Sequence, residues 1–93
     1  MNVWELPLHK VELARPRTPA DLFNELKYRF NIDTDAELAR WIGIDSSYLQ
    51  KIRIGQFALG NTVLLDIHIA SDMPIRELKL LSGLLVAIPR KHI

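Results

Sequence analysis

The chain has no cysteine. That excludes disulfides and any cysteine-ligated zinc, and it fits a reducing compartment. Glycine is scarce and scattered at 43, 55, 60 and 83, so no glycine-rich phosphate loop can be assembled. Long apolar runs are missing too. The longest, Leu84 to Ile88, is far too short to span a bilayer, and no continuous apolar stretch near the N-terminus suggests a signal peptide. A cytoplasmic protein with no membrane partner is expected. His9, His68 and His92 are scattered along the chain and show no metal-ligand spacing. Asp66 and Asp72 read as helix-surface or capping charges. With no activated serine in view, the chain is not expected to be an enzyme, and no metal or cofactor is implied.

What is present suits one small domain. At 93 residues there is room for a single core, and 48% hydrophobic with 25% charged residues is ordinary globular composition. The net charge is only +1, but its distribution is uneven. From Ser46 to Asn61 there are Lys51 and Arg53 and no acid. From Thr34 to Asp45 there are Asp35, Glu37 and Asp45 against Arg40 alone. Arg90, Lys91 and His92 form a second basic cluster.

Five short helices can be read along the chain, and no strand in its middle. Thr18 can cap the first, Pro19 suits its first position, and Leu22, Phe23, Leu26 and Phe30 fall on its inner face. "TDAE" from Thr34 reads as a capping box for the second, in which Thr34 bonds a backbone N–H and Glu37 reaches back. Leu38, Ala39 and Ile42 make its inner stripe, and Gly43 closes it. Asp45 caps the third helix, Leu49 and Ile52 point inward, and Gly55 stops it. After a loop to Gly60, Asn61 or Thr62 caps the fourth helix. That helix is apolar on two faces, with Val63, Ile67 and Ala70 on one and Leu65 and Ile69 on the other. The fifth opens at Pro74 and turns Ile75, Leu78 and Leu81 inward. The chain thus divides into an N-terminal arm (1–17), a helical domain (18–83) and a short apolar C-terminal tail (84–93). The arm reads as either extended or loosely packed. Trp4 and Trp41 read as packing residues.

Ala39 and Gly43 carry a further signal. Where two helices cross closely a small residue is needed, and a glycine four positions later permits a tight turn. With apolar Leu38, Ile42, Ile44, Leu49 and Ile52 at their spacings, the segment resembles the lambda-repressor/Cro-like (XRE-type) helix-turn-helix family of DNA-binding domains. The resemblance covers about Pro19 to Ser82 and is clearest between Thr34 and Gly60. It implies an all-α, five-helix lambda-repressor-like DNA-binding domain that reads double-stranded DNA with its third helix, as a transcriptional regulator and specifically a small repressor.

At about 100° per residue, Ser46, Ser47, Gln50, Lys51 and Ile54 share one face opposite Leu49 and Ile52. On the family's docking, Ser46, Ser47, Gln50 and Lys51 would face bases. Glutamine can pair with adenine and lysine with guanine, while serine suits several edges. Phosphates would be met near Thr34, Asn61 and Thr62 by helix N-termini, with Arg53 and Gln56 adding contacts. Tyr48 would give a hydroxyl to a phosphate or simply flank the core. Two positions depart from the family's habit. Asp35 stands where a phosphate-touching glutamine is common, and Ile54 where an asparagine is, so modest affinity per subunit is expected. A homodimer would compensate, with Leu65, Ile69, Leu84, Leu85 and Ile88 at the interface and Trp4 as a further contributor. Two alternatives remain open. One is a protein–protein adaptor on the same fold. The other is an antitoxin-like module whose arm or tail binds a toxin or other regulator.

Overall fold

A computed structural model describes residues 16–85 of the chain. Five helices follow one another: α1 Pro19–Arg29, α2 Asp35–Ile42, α3 Ser46–Arg53, α4 Asn61–Ser71 and α5 Ile75–Ser82, with no strand among the described residues. The all-helical expectation is met at this level. Trp4, Ile88, the basic cluster at 90–92 and the arm up to residue 15 lie outside the described residues.

Local chemistry sets each boundary. The Thr18 backbone N–H donates to Asp21 Oδ2 at 2.8 Å, and Pro19 opens α1. Asn31, at φ 58°, turns the chain out of α1, a backbone region that asparagine tolerates better than most residues. At α2, Thr34 Oγ1 accepts from the Glu37 N–H at 3.1 Å, as the capping box requires. The return bond differs from expectation: the Glu37 carboxylate accepts from the Asp33 N–H at 3.2 Å, one residue earlier than Thr34. Gly43 ends α2 at φ 96°, where a side chain would be strained. Asp45 occupies the cap position of α3, but its side chain makes no capping bond.

The start of α4 corrects the sequence reading. Gly60 is the cap residue, and Asn61 and Thr62 are already in the helix's first turn. At the other end, Asp72 takes a left-handed conformation, φ 64°. Ser71 Oγ donates to the Ile67 carbonyl at 2.7 Å and accepts from the Met73 N–H at 3.0 Å. His68 Nδ1 lies 2.6 Å from the Met73 carbonyl, which can only accept, so the ring carries its proton there. That contact accounts for His68 as a residue fastening the α4–α5 turn.

The core gathers one face of every helix. Leu22, Phe23 and Leu26 of α1, Leu38, Ala39 and Ile42 of α2, and Leu49 and Ile52 of α3 are buried as their spacing predicts. In α4 the buried set is Val63, Leu64 and Ile67, while Ala70 is only half-buried. Leu78 is buried in α5, with Ile75 and Leu81 packed partly against the core. Two buried residues come from connections, Leu59 and Met73. Phe30 was expected inside and is exposed. Just past the last turn of α1, its ring lies against Trp41 with centroids 4.8 Å apart.

Helix α1 packs on α5, α3 and α2; α2 packs on α3 and α4; and α4 packs on α5. Ala39, almost wholly buried, lies within this crowded centre. At the α5 end a Cβ on Gly83 would run into the Arg17 carbonyl, so glycine is what lets the chain entering α1 cross the end of α5. Arg29 of α1 reinforces the same pairing through Glu77 of α5 at 2.9 Å, while Glu25 of α1 steadies the guanidinium at 2.7 Å.

Candidate nucleic-acid interface

Helix α3 has a sharp division between its faces. Leu49 and Ile52 are fully buried, and α1 and α2 are the helices packed on it. On the other side Ser46, Ser47, Gln50 and Lys51 are all exposed, with Ile54 63% exposed among them. The helix itself contributes no acid to this face, because none occurs between Ser46 and Asn61, and exposed Asp45 stands just before Ser46. The four polar residues therefore share an exposed face, brought together by helical periodicity alone.

Lys51 is not an isolated chain end. Its Nζ lies 5.5 Å from the centroid of the Phe57 ring, within cation–π range. The Phe57 ring in turn faces Tyr48, with centroids 5.8 Å apart. The loop that carries Phe57 is tied down at the Lys51 carbonyl, which accepts from Gln56 N–H at 2.8 Å and Phe57 N–H at 3.1 Å. Tyr48 is half-buried against the core, so it serves packing whatever else its hydroxyl does. Phe57 was not singled out from the sequence. An aromatic in a short loop between two glycines was the available signal.

The residues at the two helix N-termini expected to meet phosphate are exposed. Thr34 is exposed at the start of α2, and Asn61 and Thr62 are exposed in the first turn of α4. Gln56 is exposed in the loop after α3.

Arg53 has a different setting. It was expected to reach phosphate, and two of its guanidinium nitrogens donate within the protein. Nη2 donates to Asp35 Oδ1 at 2.9 Å and Nη1 to Asn24 Oδ1 at 2.9 Å. The guanidinium carbon sits 5.7 Å from the Phe23 ring centroid, and the side chain is only 17% exposed. Its Nε is buried with no partner. The same Asp35 oxygen also accepts from Lys27 Nζ at 3.0 Å. Burial works against the ionised Asp35 carboxylate. Hydrogen bonds from Lys27 and Arg53, together with their charges, outweigh that and hold its pKa below the ordinary value.

The surface proposed for self-association is exposed where it is described: Leu65 at 51%, Ile69 at 71% and Leu84 at 49%. Leu85 is half-buried, and its N–H donates back to the Lys79 carbonyl at 3.1 Å. Among the described residues no group of three or more histidines, cysteines and acids is placed to hold a metal ion, and no helix is long and apolar enough to cross a membrane. No protein-family model matches the chain, and neither does any curated protein or solved structure.

Proposed function

We propose that the protein is a sequence-specific double-stranded-DNA-binding regulator of the lambda-repressor/Cro-like kind, acting as a small repressor. The observation that carries this reading is the outer face of α3, exposed and free of acids directly opposite Leu49 and Ile52 in the core. The turn that precedes it supports the reading, since Gly43 at φ 96° and buried Ala39 suit a close helix-turn-helix corner.

In this reading the N-terminal part of α3 enters the major groove. Gln50 can bond both hydrogen-bonding atoms on an adenine edge, Lys51 donates to guanine acceptors, and Ser46 and Ser47 fit several edges. The Phe57 ring limits the conformations open to Lys51, which reduces the entropy lost when the ammonium docks. The N-terminus of α4 offers backbone N–H groups to a phosphate, and exposed Thr34 marks a second position of this kind at α2. One short helix reads few base pairs, so two copies on an inverted repeat are proposed, joined through apolar Leu65, Ile69 and Leu84. Selection of bound duplexes from a random pool tests the reading. A recovered site with two-fold symmetry is the expected result, and a pool with no enrichment overturns it.

A second reading, a protein–protein adaptor on the same fold, has one observation in its favour. Asp35 engages both Arg53 and Lys27, which leaves Lys51 as the free cation of α3. For an adaptor the selection recovers nothing, while variants at Leu65 and Ile69 abolish capture of its protein partner.

A further inference from the structure

We infer that Asp35 is an internal substitute for a DNA phosphate: its carboxylate occupies Lys27 and Arg53 at the head of α2 and thereby limits the protein's affinity for the nucleic-acid backbone. This rests on the DNA-binding reading above and adds a device that sets its strength.

The geometry is that of an occupied anion site. Three helices converge on one oxygen. Lys27 comes from α1, Arg53 from the end of α3, and Asp35 from the first turn of α2. The cations lie at 3.0 and 2.9 Å from Oδ1, ordinary distances for charge-assisted hydrogen bonds to a carboxylate or phosphate oxygen. The first N–H groups of a helix have no acceptor within the helix, and the macrodipole adds positive potential at that end. Thr34 covers only the Glu37 N–H. An anion held here is therefore favoured by two side-chain cations and by the helix itself, and the protein supplies its own.

The ion pair does not engage every donor of its cations. With two donors of Arg53 directed to Asp35 and Asn24, its Nε is left buried and unpartnered, a costly state for a charged group. Nor is the charge balanced. Lys27 and Arg53 against one carboxylate leave an excess of one positive charge, which rises to two when Asp35 is neutralised. That second charge becomes available to a phosphate beside α2, on the flank of the helix that carries the reading face.

Salt-dependent binding tests this, using the duplex that wild type selects from a random pool. Asp35→Asn is expected to bind several-fold more tightly at low salt, with the slope of log affinity against log salt steepening by about 0.9 for each phosphate newly contacted. Adding Arg53→Gln to that variant should return the slope toward wild type. Asp33→Asn is the control. Asp33 is an exposed acid beside the same helix end but outside the ion pair, so its removal should give a smaller gain. Unchanged or weaker binding by folded Asp35→Asn overturns the inference, and so does an equal gain from Asp33→Asn. If Asp35→Asn does not fold, Asp35→Ser takes its place. Failure of both to fold shows the carboxylate to be a folding requirement and also overturns the inference. A wild type that selects no duplex brings down the DNA-binding reading itself, which separates the two failures.

Discussion

Lys51 and Arg53 stand two positions apart on α3, and their surroundings differ completely. Lys51 is exposed, with its ammonium above the Phe57 ring and no acid near it in sequence. Arg53 has turned about 200° further around the helix. That rotation carries it to the edge of the core, where Asp35, Asn24 and the Phe23 ring surround the guanidinium. One cation is presented to solvent and the other ties three helices together. A count of positive charges along α3 treats the two alike, whereas the helical turn assigns them different work.

The strongest test of that division sets an inner position against an outer one. Ile52 is fully buried and Ile54 is 63% exposed. Ile52→Ala removes core contacts and leaves a cavity, so a loss of about 2–5 kcal/mol is expected. Ile54→Ala should stay within about 0.5 kcal/mol of wild type. Denaturant midpoints at constant slope measure both. Similar losses at the two positions would mean that α3 is rotated from the orientation described.

Next comes the corner that holds α3 in place. Ala39 is nearly fully buried among α2, α3 and α4, so Ala39→Leu should destabilise the domain by about 1–3 kcal/mol through overpacking. Gly43→Val should cost a similar amount, about 1–3 kcal/mol, for a different reason. No atom lies within 4 Å of a Cβ placed there, so the cost comes from φ 96° and not from a clash. Thermal melts compare the two. A Gly43→Val protein that melts with wild type would remove the positive-φ argument and leave the packing argument intact.

The two cations can then be compared directly. Lys51→Ala should weaken specific DNA binding by about 1–3 kcal/mol and relax preference at one base pair, with the melting temperature unchanged. Arg53→Ala should act mainly on the fold. It removes one charge-assisted bond to the half-buried Asp35 carboxylate and one to the Asn24 amide, for about 1–2 kcal/mol of stability, and leaves the salt slope of binding nearly as it was. Quantitative gel shifts paired with melts separate the outcomes. If Arg53→Ala loses salt slope while Lys51→Ala does not, the roles assigned to them are reversed.

These contrasts follow how far each feature could be read from the sequence. The five helices, the Thr34 cap, the Gly43 turn and the faces of α2 and α3 depend on residues within a few positions of one another, and periodicity exposes them. The Asp35 ion pair does not work that way. Lys27, Asp35 and Arg53 meet only because α1, α2 and α3 pack together, so Asp35 read simply as a charge that would repel phosphate. Leu59 and Met73 were missed because connections carry no periodic signal, though both are buried. Phe30 kept the spacing of α1 but lies beyond its last turn, where the periodic rule no longer holds, and it found Trp41 instead of the core. The exposed polar face of α3 was legible as a face. The aromatic support of Lys51 by Phe57 was not, since it depends on how the following loop folds back on the Lys51 carbonyl.

The smallest expected effect concerns the carboxylate that separates the two cations' fates. The folded pKa of Asp35 lies below its unfolded value, because the bonds and charges of Lys27 and Arg53 together outweigh the burial that opposes ionisation. The folded state therefore favours the ionised form, and the stability this contributes is fully present above the unfolded carboxylate pKa, about 4. It is lost as pH falls from there through the folded pKa. Other acids titrate over the same range, so the pH dependence of wild type alone does not isolate Asp35. The difference between wild type and Asp35→Asn does, because the remaining groups are common to both. At pH 7 wild type should be the more stable of the two, and the gap should narrow as pH falls below about 4. Melts of the pair across pH 7 to 3 measure it. A gap that is constant over this range would mean that Asp35 contributes through shape alone. A gap that widens on acidification would reverse the sign of its coupling to Lys27 and Arg53, and with it the contrast between the two sides of α3.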